Sequence, residues 1–423
     1  IQGAVLILLS IIVPVIVFLP GKEVKAISPW HAVNRQRTHL DHSSFFNKKF
    51  KDAHEVTRTC LKCHKNAAKD LMKTAHWKWE RTEKYPGHGA IKIGKKNLVN
   101  NFCIGIQGNE ASCTSCHAGY GWKNKNFDFK KEDNVDCLVC HDWTGTYIKG
   151  KSGYPKKGVN LLKVAKSVGY PKRENCGICH IYGGGGMGVK HGDLDQTLVN
   201  PSPDVDVHMG RANLLCIDCH KTKNHNITGK SYSVSVSHKN GIGCTNCHVS
   251  VPHRDRRINL HLKSLACQTC HIPVFAKKSA TKTHWDWSQA GMPGRINNPQ
   301  TYLKKKGSFV YQKEIIPEYY WFNLTVKRYL LGDKINSNGV THINYPNGTI
   351  HDSNAKIWPY KVHRATQPYD LIHRYILQPV TSGKDGYWKN FNWYKALAKG
   401  AKLTGMKFSG KYGFVKTDMH WPL

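Results

Sequence analysis

Hydrophobic and polar positions divide this chain into unlike stretches. Residues 3–19 are uncharged and mostly apolar, broken only by Ser10 and Pro14. At about 17 residues this run sits at the lower limit for a helix crossing a bilayer. It shows no small-x-small cleavage pattern before Pro20-Gly21-Lys22, so the expectation is an N-terminal transmembrane helix over 1–20 rather than a signal peptide. Residues 21–59 form a polar linker and lead-in segment. Residues 60–271 are broken by turn chemistry at Gly183-Gly184-Gly185-Gly186 and Asn200-Pro201-Ser202-Pro203, which predicts short helices joined by loops. Residues 272–423 are rich in Tyr and Trp; Glu318–Phe322 and Trp388–Tyr394 read as core packing. A helix is predicted over Asn392–Lys402, where Ala, Leu and Lys dominate. The fold class expected is mainly α with extensive irregular structure and no dominant sheet.

Hydrophobic residues make up 40% of the chain, below the roughly 45–50% of ordinary globular proteins. The cysteines suggest what fills the deficit. The pattern Cys-x-x-Cys-His occurs seven times: at Cys60, Cys63 and His64; Cys113, Cys116 and His117; Cys137, Cys140 and His141; Cys176, Cys179 and His180; Cys216, Cys219 and His220; Cys244, Cys247 and His248; and Cys267, Cys270 and His271. This is the attachment pattern of c-type haem. The two thiols bond to the porphyrin, and the adjacent histidine is placed to bind the iron. A single copy could belong to a zinc site, but seven copies use fourteen of the fifteen cysteines. Seven haem c groups are therefore expected, in a multihaem cytochrome c fold built around a haem stack. The spacing between motif starts varies from 23 to 53 residues, which argues against a tandem repeat of one unit. Residues 60–271 are expected to form the haem-binding ladder, and 272–423 a haem-free aromatic region packed on it.

Eighteen of the 25 histidines lie outside the motifs. Imidazole is the common second axial ligand of electron-transfer haems, so many of these should be ligands. The lead-in holds His31, His39, His42 and His54. The candidates chosen by position near or between motifs are His54, His76, His88, His208, His225, His238, His253, His261 and His284. There are six methionines, too few for methionine to be a general alternative.

Thiols held as thioethers cannot form disulfides, so cysteine usage gives no redox compartment. Covalent haem attachment occurs outside the cytoplasmic membrane, so the chain must be exported. With the apolar start this gives an expected location at the cell membrane, haem domain outside. The formal charge is +35, and haem propionates offset only part of it. The excess suits an anionic substrate, an acidic redox partner or a cell-surface polyanion. Nucleic acid is excluded by compartment and by the lack of any nucleic-acid motif.

Cys103 belongs to no motif. It reads either as a buried structural thiol or as a thiol able to exchange with sulfur substrates. Its surroundings carry a resemblance. Asn100-Asn101-Phe102-Cys103-Ile104-Gly105-Ile106, then Cys113–Trp122, then Cys176–Gly186 followed by Val189–Asp195, and finally Met419-His420-Trp421-Pro422-Leu423 together resemble the octahaem tetrathionate reductase family of multihaem cytochromes. The likeness covers essentially everything after the apolar run. It implies one unusual haem, attached by the second motif, whose iron takes a lysine amine; the matching residue is Lys190. It also implies a cysteine and an asparagine beside that haem, matched by Cys103 and Asn100. Two departures stand out. Met187 occupies a position that is acidic in the family, and the family's eighth motif, beyond the Trp-Pro-Leu string, would fall after Leu423, so an eighth haem beyond this end is left open.

The resulting expectation is a cytochrome that passes electrons along bis-histidine haems to the Cys113/Cys116 haem, where tetrathionate, nitrite or hydroxylamine is reduced. A pure electron conduit, perhaps one subunit of a cytochrome wire, is the alternative; oxidation of hydroxylamine or hydrazine is a third. Expected partners are a redox protein or quinol-linked donor, a small anionic substrate, the membrane, and further copies or other cytochromes in an assembly.

Overall fold

The computed structural model describes residues 38–101, 105–238 and 241–423. Its first half is a succession of short helices and turns that carry the cysteine motifs. The Ala53–Cys63 helix is capped by Asp52, whose side chain accepts from the Glu55 amide, and it delivers the first motif at its C-terminal end. Thr57, on its buried face, donates to the Val135 carbonyl at 2.6 Å, so the helix is tied to the chain just ahead of the third motif. Later motifs lie on the Leu138–His141, Arg173–His180, Cys216–Cys219 and Cys267–His271 helices. The second and sixth begin or lie on single 3-10 turns at Thr114–Cys116 and Cys244–Asn246. None of these is long enough to be stable alone, so packing must hold them.

One buried ion pair contributes to that packing. Asp136 accepts hydrogen bonds from the Tyr120 and Tyr147 hydroxyls, from the Val139 amide and from the Lys149 ammonium. Asp136 and Lys149 are both buried. The satisfied carboxylate locks the loop after the second motif onto the helix of the third.

Strands β1 (Arg81–Tyr85) and β2 (Gly89–Ile93) form a hairpin, and β3 (Thr222–Lys223) pairs with β4 (Asn226–Ile227) in a second small one. The second half departs from the expected α architecture. Strands β5 (Thr281–Asp286), β6 (Tyr302–Leu303), β7 (Gly307–Gln312), β8 (Glu318–Phe322), β9 (Val326–Arg328), β10 (Thr341–Pro346), β11 (Lys356–Asp370) and β12 (Tyr412–Pro422) build an eight-stranded mixed sheet. Its order is β6-β7-β5-β11-β12-β10-β9, with β8 also on β11. The longest ladder is antiparallel β11–β12, from Tyr360↔Pro422 to Asp370↔Tyr412. The expectation of a mainly α chain with no dominant sheet is therefore corrected. The physical reason is that this half carries no cysteine motif and must build a core from its own side chains. Its Tyr, Trp and β-branched residues suit a pleated, half-buried surface. The Glu318–Phe322 run is a strand, with Tyr320 edge-on to Tyr345, Tyr360 and His420.

That core is aromatic. Trp285 stacks on Trp287 at 4.3 Å, and Tyr387 on Trp393 at 4.0 Å. The expected helix is present as Trp393–Thr404, capped by Asn392 and stopped by Gly405 in the left-handed region. It buries Trp393, Ala396, Leu397, Gly400 and Ala401 against the sheet layer.

The expected membrane location is also corrected. Among the described residues no helix is long and apolar enough to cross a membrane, and the apolar run over 1–20 lies outside them.

Gly400 gives a test of this packing. Alanine in an open helix gains about 1 kcal/mol over glycine, but a Cβ here would overlap the Gln378 carbonyl oxygen. Gly400→Ala is expected to lower the thermal unfolding midpoint, with a loss on the order of 1–3 kcal/mol from overpacking.

Candidate haem centres and the lysine beside the second motif

Four motif histidines face a second histidine from elsewhere in the chain. His64 faces His42 with ring centroids 6.0 Å apart, His180 faces His76 at 6.2 Å, His248 faces His208 at 6.0 Å, and His271 faces His253 at 6.0 Å. Two metal–imidazole bonds of about 2 Å each, plus the offset of nitrogen from ring centre, set centroids about 6 Å apart. The pairs are thus spaced for one metal between two imidazoles. Among the described residues no three His, Cys, Asp or Glu side chains cluster so as to hold a metal ion by themselves. Two imidazoles facing each other, one of them beside a cysteine pair, suit the axial ligands of a haem.

Ring tautomers agree. The Nδ1 of His42 donates to the Leu40 carbonyl at 2.7 Å, that of His141 to Gly169 at 2.8 Å, and that of His220 to Thr228 at 3.0 Å. A carbonyl only accepts, so the proton sits on Nδ1 and Nε2 keeps its lone pair for iron. His54 is set the same way by the Asp133 carbonyl at 3.0 Å.

Cysteines of different motifs also meet. Cys60 lies beside Cys137, Cys116 beside Cys179, Cys176 beside Cys216 and Cys244 beside Cys267. The attachment points of the first and third motifs are therefore adjacent, as are those of the second, fourth and fifth in series, and of the sixth and seventh. Irregular sequence spacing hides this ordering.

His42 was not among the ligand candidates chosen from sequence. The available signal was its His-x-x-His spacing from His39, whose ring lies 5.0 Å away. Of the histidines that were chosen, His76, His208 and His253 face motif rings as described, and His225 acts electrostatically on His141. The other candidates meet no motif ring. His88 stacks on Tyr85 at an exposed turn, and His261 is exposed at the end of the Arg256–His261 helix. His284 lies on β5 beside Arg364, His238 packs on Tyr232, and His54 packs on Tyr120 and Tyr154. Loop position alone did not say which way a ring would turn.

The second motif is unlike the rest. His117 is fully buried and enclosed by Trp77, Trp79, Trp122, Phe127 and Phe129, with centroids at 5.0, 5.6, 4.9, 5.5 and 6.3 Å. Its Nε2 bonds to the Trp77 carbonyl at 2.7 Å. Burial, before any other cause, holds it down to about 3, so the ring is neutral. The nitrogen expected to bind iron is thus engaged by a backbone carbonyl, unlike the motif rings that face a second histidine.

Lys190 lies on the Cys116 side of this motif. Its Nζ donates to the Cys179 carbonyl at 3.2 Å, and its charge acts on the Cys116 sulfur together with that of Lys95. The glycine run makes its path possible. A Cβ on Gly184 would overlap the Lys190 side chain, and one on Gly183 would come to 2.5 Å from the Cys116 Sγ. Met187, where the family resemblance implied an acid, is exposed on the same loop.

The segment before residue 102 is tied to the sheet. Asn101 is buried and bonds twice to His363, Nδ2 to its carbonyl at 2.6 Å and Oδ1 to its Nδ1 at 3.1 Å. The Asn100 carbonyl accepts from Gln367 Nε2 at 2.8 Å. Cys103 lies outside the described residues.

Short motif helices, imidazole pairs at metal spacing and adjacent cysteine motifs define a c-type cytochrome with several haems, and the comparisons with known proteins agree. A solved octahaem cytochrome c from Shewanella oneidensis matches with a TM-score of 0.85 and 46% identity, over 91% of this chain and 90% of that one. The family described as "Cytochrome c bacterial" matches residues 282–423, and "Cytochrome c554 and c-prime" matches 59–142. An uncharacterized protein of Archaeoglobus fulgidus is 25% identical over 238 residues, 44% of this chain and 80% of its own length. The chain belongs to the octahaem tetrathionate reductase family of multihaem c-type cytochromes. It is an electron-transfer protein with covalently bound haem c.

The His42–His64 pair is directly testable. His42→Ala is expected to remove one low-spin bis-histidine signal from the ferric electron paramagnetic resonance spectrum, while His88→Ala leaves every signal in place. An unchanged His42→Ala spectrum would give His64 a different partner.

Proposed function

We propose that this exported cytochrome is a reductase. In this reading electrons move along haems at the seven motifs, the paired ones held by two histidines each, to the haem on Cys113 and Cys116. There Lys190 is the protein's iron ligand, and a small sulfur or nitrogen oxyanion, or hydroxylamine, is reduced. One observation carries the reading. At the second motif alone, a lysine lies beside the attachment cysteine while the motif histidine is turned into an aromatic cage and bonded to a carbonyl.

A haem bound there would supply an iron that delivers electrons one at a time. The chain's own groups do the rest. Lys190 must be neutral to bind, and coordination itself favours the neutral amine. The Trp and Phe cage around His117 excludes water and fixes the motif. Asn100, held through its carbonyl, would orient a bound oxyanion. Cys103, in a tetrathionate reaction, is the thiol available for exchange with substrate sulfur. Met187 offers no proton, so protons reach the substrate from another group or from water. The basic surface draws in anions, and the contacts of the second motif with the fourth and of the fourth with the fifth suit electron delivery from a redox partner protein or a quinol-linked donor. The imidazole pairs would equally serve a pure conduit, and turnover separates the two.

Ferric protein is expected to show one haem distinct from the bis-histidine set, and reduced protein to be reoxidised by tetrathionate, nitrite or hydroxylamine. Lys190→Met should erase the distinct signal and cut turnover at least tenfold. Cys103→Ala should abolish tetrathionate turnover with haem content intact. Reoxidation by none of the three substrates would leave the conduit.

A further inference from the structure

The Lys190 loop is built to be loose. Gly184, Gly185, Gly186 and Gly188 all have positive φ, a backbone freedom that leaves such a loop with many conformations to lose. Lys190 nevertheless occupies a defined path past Gly184. Something outside the loop must hold it.

Lys361, on β11, does so geometrically. Its side chain is fully buried, and its Nζ reaches Thr281 Oγ1 at 2.6 Å, the Val189 carbonyl at 3.2 Å and the Gly188 carbonyl at 3.4 Å. An ammonium has three N–H donors, and three acceptors surround it. Thr281 Oγ1 in turn donates to the Gly188 carbonyl at 2.7 Å, and the Lys282 amide bonds to the same carbonyl at 2.7 Å. Residues 188–189 are therefore bolted to β5 and β11 immediately before Lys190. Two residues along β11, on the same face, His363 grips Asn101, and further along Gln367 grips Asn100. One strand face thus holds both the backbone before Lys190 and the Asn100–Asn101 segment.

Burying an ammonium costs solvation. Methionine would fill similar space without that cost, but it could not bind the 188 and 189 carbonyls.

We propose that Lys361 is a positioning residue for the second-motif haem, fixing the 188–189 backbone so that Lys190 can reach the iron. This rests on the reading of Lys190 as ligand. It assigns the motif-free sheet a direct part in the site.

The test compares Lys361→Met, Thr281→Val and Lys190→Met in the haem-loaded protein. Lys361→Met is expected to keep haem content and the bis-histidine signals, to lose at least half of the distinct second-haem signal, and to speed amide hydrogen exchange across 186–190 at least tenfold. Thr281→Val, which removes the hydroxyl shared by Nζ and the Gly188 carbonyl, should show a smaller loss of the same kind. A parent-like signal and parent-like exchange in Lys361→Met overturn the proposal. If that variant does not fold, Thr281→Val decides by the same two readings. Loss of the signal in Lys190→Met but not in Lys361→Met overturns this proposal alone. A signal that survives Lys190→Met overturns the ligand reading and this proposal together.

Discussion

Two imidazoles held 6.0–6.2 Å apart, ring centre to ring centre, recur four times in this molecule, and much of the first half is arranged to meet that constraint. A metal between two rings tolerates little error in spacing, and each ring must present a lone pair. Short helices fix one histidine of each pair beside its cysteines. Loops supply the other, and backbone carbonyls at Leu40, Gly169 and Thr228 set ring tautomers. Regular secondary structure is secondary to this demand, which is why helices of four or five residues suffice here.

The second half answers a different demand. With no motif of its own, it needs a side-chain core, and aromatic residues on long paired strands provide one. Strand β11 joins the halves: its buried polar residues face the two loops that carry Lys190 and Asn100. The sheet is then both a stability element and the frame on which a flexible glycine loop becomes a defined one. The buried Asp136–Lys149 pair performs a similar task between the second and third motifs.

At the second motif the same physics is used in reverse. His117 is caged by aromatic rings, and its Nε2 is bonded to the Trp77 carbonyl where the paired motif rings face a second imidazole. A lysine approaches instead, on a path that only glycine at 184 permits. The second motif therefore differs from the paired ones in which way one ring turns.

The chain's covalent chemistry was legible from sequence, because thioether attachment needs two cysteines and a histidine at fixed local spacing. Cys103 stood apart as the one cysteine outside the motifs, whereas Asn100 and Lys190 could be singled out only because the strings around them resemble a family. The helix over Trp393–Thr404 was readable from local propensity. The sheet was not, since strands that pair across as many as 80 residues, as His284 and Arg364 do, leave a weak local trace among scattered aromatics. Histidine pairing was unreadable for the same reason: His42 meets His64, and His76 meets His180, by chain paths that spacing does not encode. Sequence by itself determined which groups could bond to haem, because that depends on neighbours in the chain. Tertiary structure decided which ring faces which, that His117 turns away, and that Lys361 holds the loop before Lys190, because those depend on packing between distant segments.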